Sequence, residues 1–367
     1  VIPLDAQLEA TIAKSSHVWL RDRIVFLTRH GSHSYGTNIE TSDEDFKGVV
    51  IPPAEYFHGF TQVFEQAEFR KPNPDMVLYD LRKFMGLAAN CNPNIIEVLW
   101  TDASDHVVVT ALGERLLAAR ELFISKKAKH TFSGYAVSQL RRIQTHYRWL
   151  KRPPQSPPTR VEFELPERTV IPADQLEAAR AAIQKQLDRW SFKDLEYLDD
   201  ATRIGIVTGM AEVLSEMKIG ADEQFHAAGK LLGYADNFLE LLDRERRYTA
   251  RKVEWQQFQE WKKSRNPARA ALEEKWGYDT KHAGHLVRLL RMCREILTLG
   301  KVIVKRPDRD ELLAIRNGAW KYEDLVDWAA KQDAELTELA KTSTLPNDSD
   351  RKSLDKLCQS LVEASLC

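Results

Sequence analysis

Asp43-Glu44-Asp45 is the stretch whose residue types and spacing most directly suggest chemistry. On an extended strand alternate side chains share a face, so Asp43 and Asp45 would project together and Glu44 away from them. Two carboxylates side by side repel unless a cation lies between them. Hard oxygens of this kind suit Mg²⁺ or Mn²⁺, which leave coordination positions for substrate phosphates. An isolated Asp-x-Asp also reads as a solvated turn, so its neighbours have to decide.

Those neighbours favour a metal. Arg23-Ile24-Val25-Phe26-Leu27-Thr28 has the pattern of a buried strand and runs into the polar turn Arg29-His30-Gly31-Ser32-His33-Ser34-Tyr35-Gly36. Gly31 would let backbone N–H groups approach an anion closely, and the Ser32 hydroxyl adds a donor. A helix opening at this point would complete a phosphate cradle. A two-metal phosphoryl-transfer site also wants a third acid near the nucleophile. Asp75, at the opening of a strand candidate over 76–79, is the first choice. Asp80 is the alternative, its other reading being the N-cap of a helix that begins Leu81-Arg82-Lys83-Phe84.

A further cluster lies far along the chain. Lys281, His285 and Arg288 are spaced i, i+4 and i+7, within an arc of about 60° on a helix. Leu286, Leu289, Leu290, Cys293, Ile296 and Leu297 make the opposite, buried face. The basic face reads as a holder of β- and γ-phosphates turned to a cleft, or as a solvated stripe. His282 and His285 are not read as a zinc pair, because no acid or cysteine stands at ligand spacing on that face.

Between Leu122 and Val161 there is no Asp or Glu. That stretch carries Lys126, Lys127, Lys129, Arg141, Arg142, Arg148, Lys151, Arg152 and Arg160, interleaved with Phe132, Tyr135, Tyr147 and Trp149. A second basic stretch runs from Arg244 to Arg269. Cations mixed with aromatics suit a nucleic-acid backbone with stacked bases, and Lys127, Lys129, Arg141 and Arg142 are the candidate acceptor contacts. The other reading is that the aromatics are core and the charges solvated.

Elements must position these groups. Residues 5–16 read as a short amphipathic helix, 23–28 and 44–51 as strands, and 81 to about 90 as a helix. The first 105 residues mix strands and helices; 109–150 and most of 173–367 are helical in pattern. Pro153, Pro154, Pro157, Pro158, Pro166 and Pro172 make 151–172 an exposed loop or linker. Residues 173–275 read as an inserted helical section, and 280–300 as an amphipathic helix closed by Gly300. The expected fold class is α+β.

Bulk properties bound the function. The formal net charge is −1, so nucleic-acid affinity must come from local patches. Cys91, Cys293, Cys358 and Cys367 are far apart with no CxxC pair, which speaks against a zinc site or a disulfide framework. No apolar run approaches the roughly 20 residues of a membrane span. Val1-Ile2-Pro3-Leu4 does not open a signal peptide. The expectation is a cytoplasmic protein with reduced thiols and no membrane partner.

Gly31-Ser32 followed by Asp43-x-Asp45 resembles the signature of the DNA polymerase β-like nucleotidyltransferase superfamily. Further stretches resemble its RNA-repair-associated branch. These are Ser42-Asp43-Glu44-Asp45-Phe46-Lys47-Gly48, the run Asp75 to Phe84, Asn92-Pro93-Asn94 before Glu97-Val98-Leu99-Trp100, and Gly134-Tyr135-Ala136 with Gln139. The run Lys281 to Leu289 and Leu312-Leu313-Ala314-Ile315-Arg316-Asn317-Gly318 complete the set. The resemblance covers about 24–150 and 277–347. It implies a small mixed sheet with flanking helices, followed by a larger α-helical domain that closes the cleft. The corresponding division is 1–105 catalytic core, 106–150 basic and helical, 151–276 Pro-rich loop and helical insertion, and 277–367 closing domain.

The resemblance also implies roles. Asp43 and Asp45 would bind two Mg²⁺ ions, and Asp75 would complete the triad and help activate an attacking hydroxyl. Gly31 and Ser32 would hold the triphosphate, and Lys281, His285 and Arg288 would neutralise it. Lys83 and Arg316 are further candidates for nucleotide or acceptor contacts. The expected reaction moves a nucleoside monophosphate from an NTP to a hydroxyl, an RNA or DNA 3′ end, and releases pyrophosphate. Nucleotidylation of a protein or small molecule, and an inactive RNA-binding scaffold, are the rival readings.

Overall fold

The computed structural model describes residues 4–70, 74–190, 221–265 and 267–366. The helical expectation over 191–220, Val1–Pro3, Pro72-Asn73 before Asp75, and Cys367 lie outside the described residues.

The fold is α+β, with a five-stranded mixed sheet in the N-terminal part and a larger helical region after it. The strands are β1 (Ile24–His30), β2 (Asp45–Val50), β3 (Gln66–Phe69), β4 (Asp75–Asp80) and β5 (His106–Val109). Their order across the sheet is β3-β4-β2-β1-β5. β2 and β4 run parallel, and the other neighbours are antiparallel. β1 is a continuous apolar run over Ile24–Leu27 because it is covered on both faces.

The period of two divides the strands between two cores. Leu27, Phe46, Met76 and Leu78 pack with Leu8 and Ile12 of the Ala6–Ile12 helix on one face. Phe26 and Val49 pack on the other face, with Leu81 and Phe84 of the Leu81–Ala89 helix and with the main helices. That second core takes Phe132, Ala136 and Ile143 from the Lys127–Lys151 helix and Leu286, Leu289 and Leu290 from the Thr280–Leu299 helix. These two long helices pack along one another. The latter starts at the Asp279 cap and stops at Gly300, whose φ of 63° is the left-handed state glycine adopts without cost.

The chain divides into two compact units, Val1–Lys151 with Asn266–Cys367, and Arg152–Arg265. The first holds the sheet and the Lys127–Lys151 and Thr280–Leu299 helices. The second has its own small core of Leu176, Ile183, Phe225, Leu239 and Leu242. In it Arg160 Nη1 meets Glu245 Oε2 at 3.1 Å. The proline-rich stretch is irregular apart from a short turn at Val161–Phe163. No described helix is long and apolar enough to cross a membrane.

Two strands have no counterpart in the sequence reading. β3 lies at a sheet edge and is four residues long, so its alternation of Ala67 and Phe69 with Gln66 and Glu68 is too short to mark a strand by itself. β5 is also an edge strand, only His106–Val109 long, and sits where the pattern turns helical.

Candidate active site

β1 delivers the chain to Gly31, whose φ of 71° reverses it into the short helical turn Ser32–Tyr35. The first N–H groups of such a turn have no partner within it, which is what a bound oxyanion can use. The far end of the turn is fixed by the helical region. Arg306 donates its backbone N–H to Tyr35 O at 3.0 Å, and Arg309 Nε donates to Gly36 O at 2.6 Å.

Sheet register sets the acids. His30 pairs with Asp45 across β1 and β2, and Asp45 pairs with Asp75 across the parallel β2 and β4. Register partners share a face and lie about 4.8 Å apart along the hydrogen-bonding direction. Asp45 and Asp75 therefore stand side by side, on the face that also carries Val49 and the helical core. Asp43 precedes β2, so the pleat does not align it with Asp45 as the sequence reading assumed; it reaches the others through its charge. The Asp45 carboxyl is pushed up first by burial and then by Asp75 and Asp43, against the pull of Lys47 and Lys281. A divalent cation would relieve that repulsion, and the donors are the hard oxygens it takes.

Among the described residues, His146, Glu273 and Asp279 are the group whose ligand atoms all lie within 4.8 Å of one another. The three aspartates spread more widely, so substrate phosphates would supply part of their ion coordination. Asp80 takes no part at this end of the strand. It lies five residues beyond Asp75, about 16 Å along an extended chain. There its carboxylate accepts from the Arg82 and Lys83 N–H groups at 2.8 and 3.2 Å and caps the Leu81–Ala89 helix.

A buried polar network that the sequence reading did not assemble lies behind the turn. Glu97 accepts from the Tyr35 hydroxyl at 2.6 Å and from Arg288 Nη1 at 2.7 Å, and His30 Nε2 stands 3.6 Å from it. The Arg288 guanidinium lies over the Tyr35 ring, 3.7 Å from its centre. Burial would raise the Glu97 carboxyl, but Arg288 and its hydrogen bonds hold it well below the usual range. Burial pulls His30 down to about 4, and burial with Arg288 pulls His285 down to about 3. Lys47 donates to Asn94 O at 2.7 Å, and burial pulls its ammonium down to about 8.

The Thr280–Leu299 helix forms the opposing wall of a cleft of about 410 Å³. Ser32, Tyr35 and Thr37 line it on the turn side; Lys281, His285, Arg288 and Arg316 line it on the helical side. The basic face expected there is graded. Lys281 is exposed, His285 half-buried, and Arg288 buried and already bound to Glu97. His282 is not partnerless, as the zinc argument supposed. Its Nδ1 meets Asp279 Oδ2 at 2.6 Å. The Asp-x-x-His spacing at a helix start would have revealed that pair.

The remaining sequence candidates separate. Lys83 lies off the cleft and pairs with Glu65 at 2.6 Å. Lys127 and Lys129 pair with Asp348 and Asp333 at 2.6 and 3.3 Å. Arg141 is exposed, and Arg142 lines the cleft. Phe132 and Trp149 are core, Tyr147 stacks on Tyr322 at 3.8 Å, and Tyr135 reaches the cleft. In the second basic stretch Arg244, Arg246, Arg247 and Arg251 pair with nearby acids.

Comparison with known families gives an independent reading. Residues 3–162 match the model of RlaP, the RNA repair pathway DNA polymerase beta family. The match bears out the resemblance over that stretch, which contains the whole sheet, Gly31, Ser32, all three aspartates and the Lys127–Lys151 helix. The Thr280–Leu299 helix lies beyond it. No curated protein and no solved structure matches the chain.

Proposed function

We propose that this chain is a divalent-metal-dependent nucleotidyltransferase that moves a nucleoside monophosphate from an NTP to a hydroxyl at an RNA or DNA 3′ end, releasing pyrophosphate. The observation that carries the reading is the register pair Asp45–Asp75 beside the Gly31 turn, with Lys281 facing it from the helical side. The family match supports it, since that family is named for RNA repair and for polymerase β.

In this reading Asp43 and Asp45 hold Mg²⁺ or Mn²⁺, and Asp75 completes the site next to the acceptor hydroxyl. The metal supplies charge neutralisation for an in-line displacement. Gly31 and Ser32 hold triphosphate oxygens, and Lys281 and Arg316 balance their charge. Arg288 acts indirectly, by clamping Tyr35 and so the end of the turn. Its buried pairing with Glu97 leaves it a structural task.

The test is incubation with each α-labelled NTP, Mg²⁺ or Mn²⁺, and RNA or DNA primers. The wild type is expected to extend or cap a primer with label, and Asp43→Ala with Asp45→Ala to abolish transfer while keeping a cooperative melt. Persistent transfer by that variant would place the chemistry elsewhere. Label appearing on protein instead of primer would favour nucleotidylation of a protein.

A further inference from the structure

The Asp279–His282 pair gathers three helices at the cleft. Asp279, buried at the N-cap of the Thr280–Leu299 helix, meets His282 Nδ1 at 2.6 Å. The other ring nitrogen, Nε2, has Arg269 Nη1 at 3.3 Å and Arg142 Nη1 at 3.5 Å. A guanidinium can only donate, so Nε2 is the acceptor and the proton is on Nδ1. Asp279 thus fixes the ring on one side, and the ring holds two guanidiniums on the other. Arg142 comes from the Lys127–Lys151 helix and Arg269 from the Pro267–Trp276 helix; both line the cleft.

Two like charges brought to one ring repel, and the cleft holds more of them. Among the described residues Arg142 and Arg316 have no carboxylate within 4.0 Å, whereas Arg288, Arg291 and Arg306 are each paired within that distance. Asp279, 3.8 Å from Arg269, and the buried Glu273, whose carboxylate lies within 4.8 Å of that of Asp279, balance part of the charge and leave Arg142, Arg316 and Lys281. What remains calls for an anion in the cleft. Lys281 stands between the two charge groups, close enough to feel Asp43 on one side and Arg269 and Arg316 on the other. A triphosphate whose α-phosphate sits at the carboxylates would run past Lys281 toward the guanidiniums.

We propose that Arg142 and Arg269, presented by His282, clamp the terminal phosphate of the substrate triphosphate, with Asp279 and His282 as positioning residues. The inference rests on the nucleotidyltransferase reading and sharpens it: the cleft selects a nucleoside triphosphate over the diphosphate.

The test is calorimetric binding of each nucleoside triphosphate and its diphosphate to the full chain with Mg²⁺ and no acceptor. The wild type is expected to prefer the triphosphate by about tenfold or more, the worth of one charge-assisted hydrogen bond. Arg142→Ala, Arg269→Ala and His282→Phe should each shrink that preference while leaving diphosphate affinity in place. A purely structural role would weaken both nucleotides together. Arg142 is exposed, so its variant should melt like the wild type. An unchanged preference in the arginine variants, or a loss of oligonucleotide affinity in its place, overturns the clamp. A wild type that binds both nucleotides equally also overturns it, while leaving the wider reading intact. A wild type that binds neither overturns both.

Discussion

The Cα of Gly31 lies so close to the Asp45 carboxylate that a Cβ at position 31 would collide with Oδ2. The same glycine carries a φ of 71°, where a side chain is strained. Both constraints fall at the point where the turn meets the acids. Gly31→Ala should therefore push Asp45 out of line or swing the turn away from it. The backbone strain alone is about 1–3 kcal/mol. Label transfer from NTP is expected to fall by about a hundredfold, as misplaced reacting groups do. Circular dichroism should keep its helical signal. Near-wild-type transfer would mean that the turn and Asp45 do not work together.

How far this arrangement is legible in the sequence depends on how local its causes are. The strand that runs into Gly31-Ser32 and the strand that carries Asp45 are legible because strand, turn and strand are short-range patterns. Asp75 and Asp80 cannot be separated by spacing alone. In the parallel register Asp75 stands beside Asp45, while Asp80 caps a helix. Lys47 shares the Asp45 face by simple alternation and was within reach. Glu97 and Arg288 were not, because 191 positions separate them and nothing local marks either as a partner. The edge strands β3 and β5 are four residues each, too short for a pattern of two to stand out without the pairing that makes them strands.

Repulsion at Asp45 has a measurable cost. Its folded carboxyl is raised by burial, Asp75 and Asp43, so the protonated form is favoured by folding. The associated stability is present below the unfolded carboxyl range and lost as pH rises through the folded value. Asp45→Asn should thus raise the neutral-pH melting temperature by a few degrees, as the removal of strained site residues often does, while abolishing transfer. Millimolar Mg²⁺ should raise the wild-type melting temperature and leave the variant unmoved. Thermal melts with and without the metal check this. A metal response that survives in Asp45→Asn would place the ion elsewhere, with His146, Glu273 and Asp279 the first group to examine.

Glu97 and Arg288 join the sheet region to the Thr280–Leu299 helix through one buried ion pair. Removing one member leaves the other charged and desolvated. Glu97→Ala should cost about 3–5 kcal/mol in denaturant unfolding, and Arg288→Met should cost a similar amount. The double variant Glu97→Leu with Arg288→Met should be less damaged than the sum, because no orphan charge remains. It should still lose transfer activity, since Tyr35 is released from both its hydroxyl acceptor and the guanidinium over its ring. Strict additivity of the two single losses would argue that the pair does not act as a unit.

Two histidines, buried His30 and half-buried His285, are expected to weaken the fold toward acid. Burial lowers His30 from 6.5 to about 4 and, together with Arg288, lowers His285 from 6.5 to about 3. Between those values and 6.5 the unfolded chain binds protons that the folded chain refuses. Stability therefore rises with pH across that window and is lost as pH falls from about 6.5. Each ring can contribute up to about 1.4 kcal/mol per pH unit there. Glu97, held well below its usual range, loses its contribution only further down, as pH drops through the ordinary carboxylate range and beyond. The interval from about pH 6.5 to 5 thus isolates the histidines. His285→Gln should flatten the slope of unfolding free energy over that interval, measured by urea titration at several pH values. An equally steep slope in the variant would show that His285 is protonated in the folded protein and that the Thr280–Leu299 helix tolerates its charge.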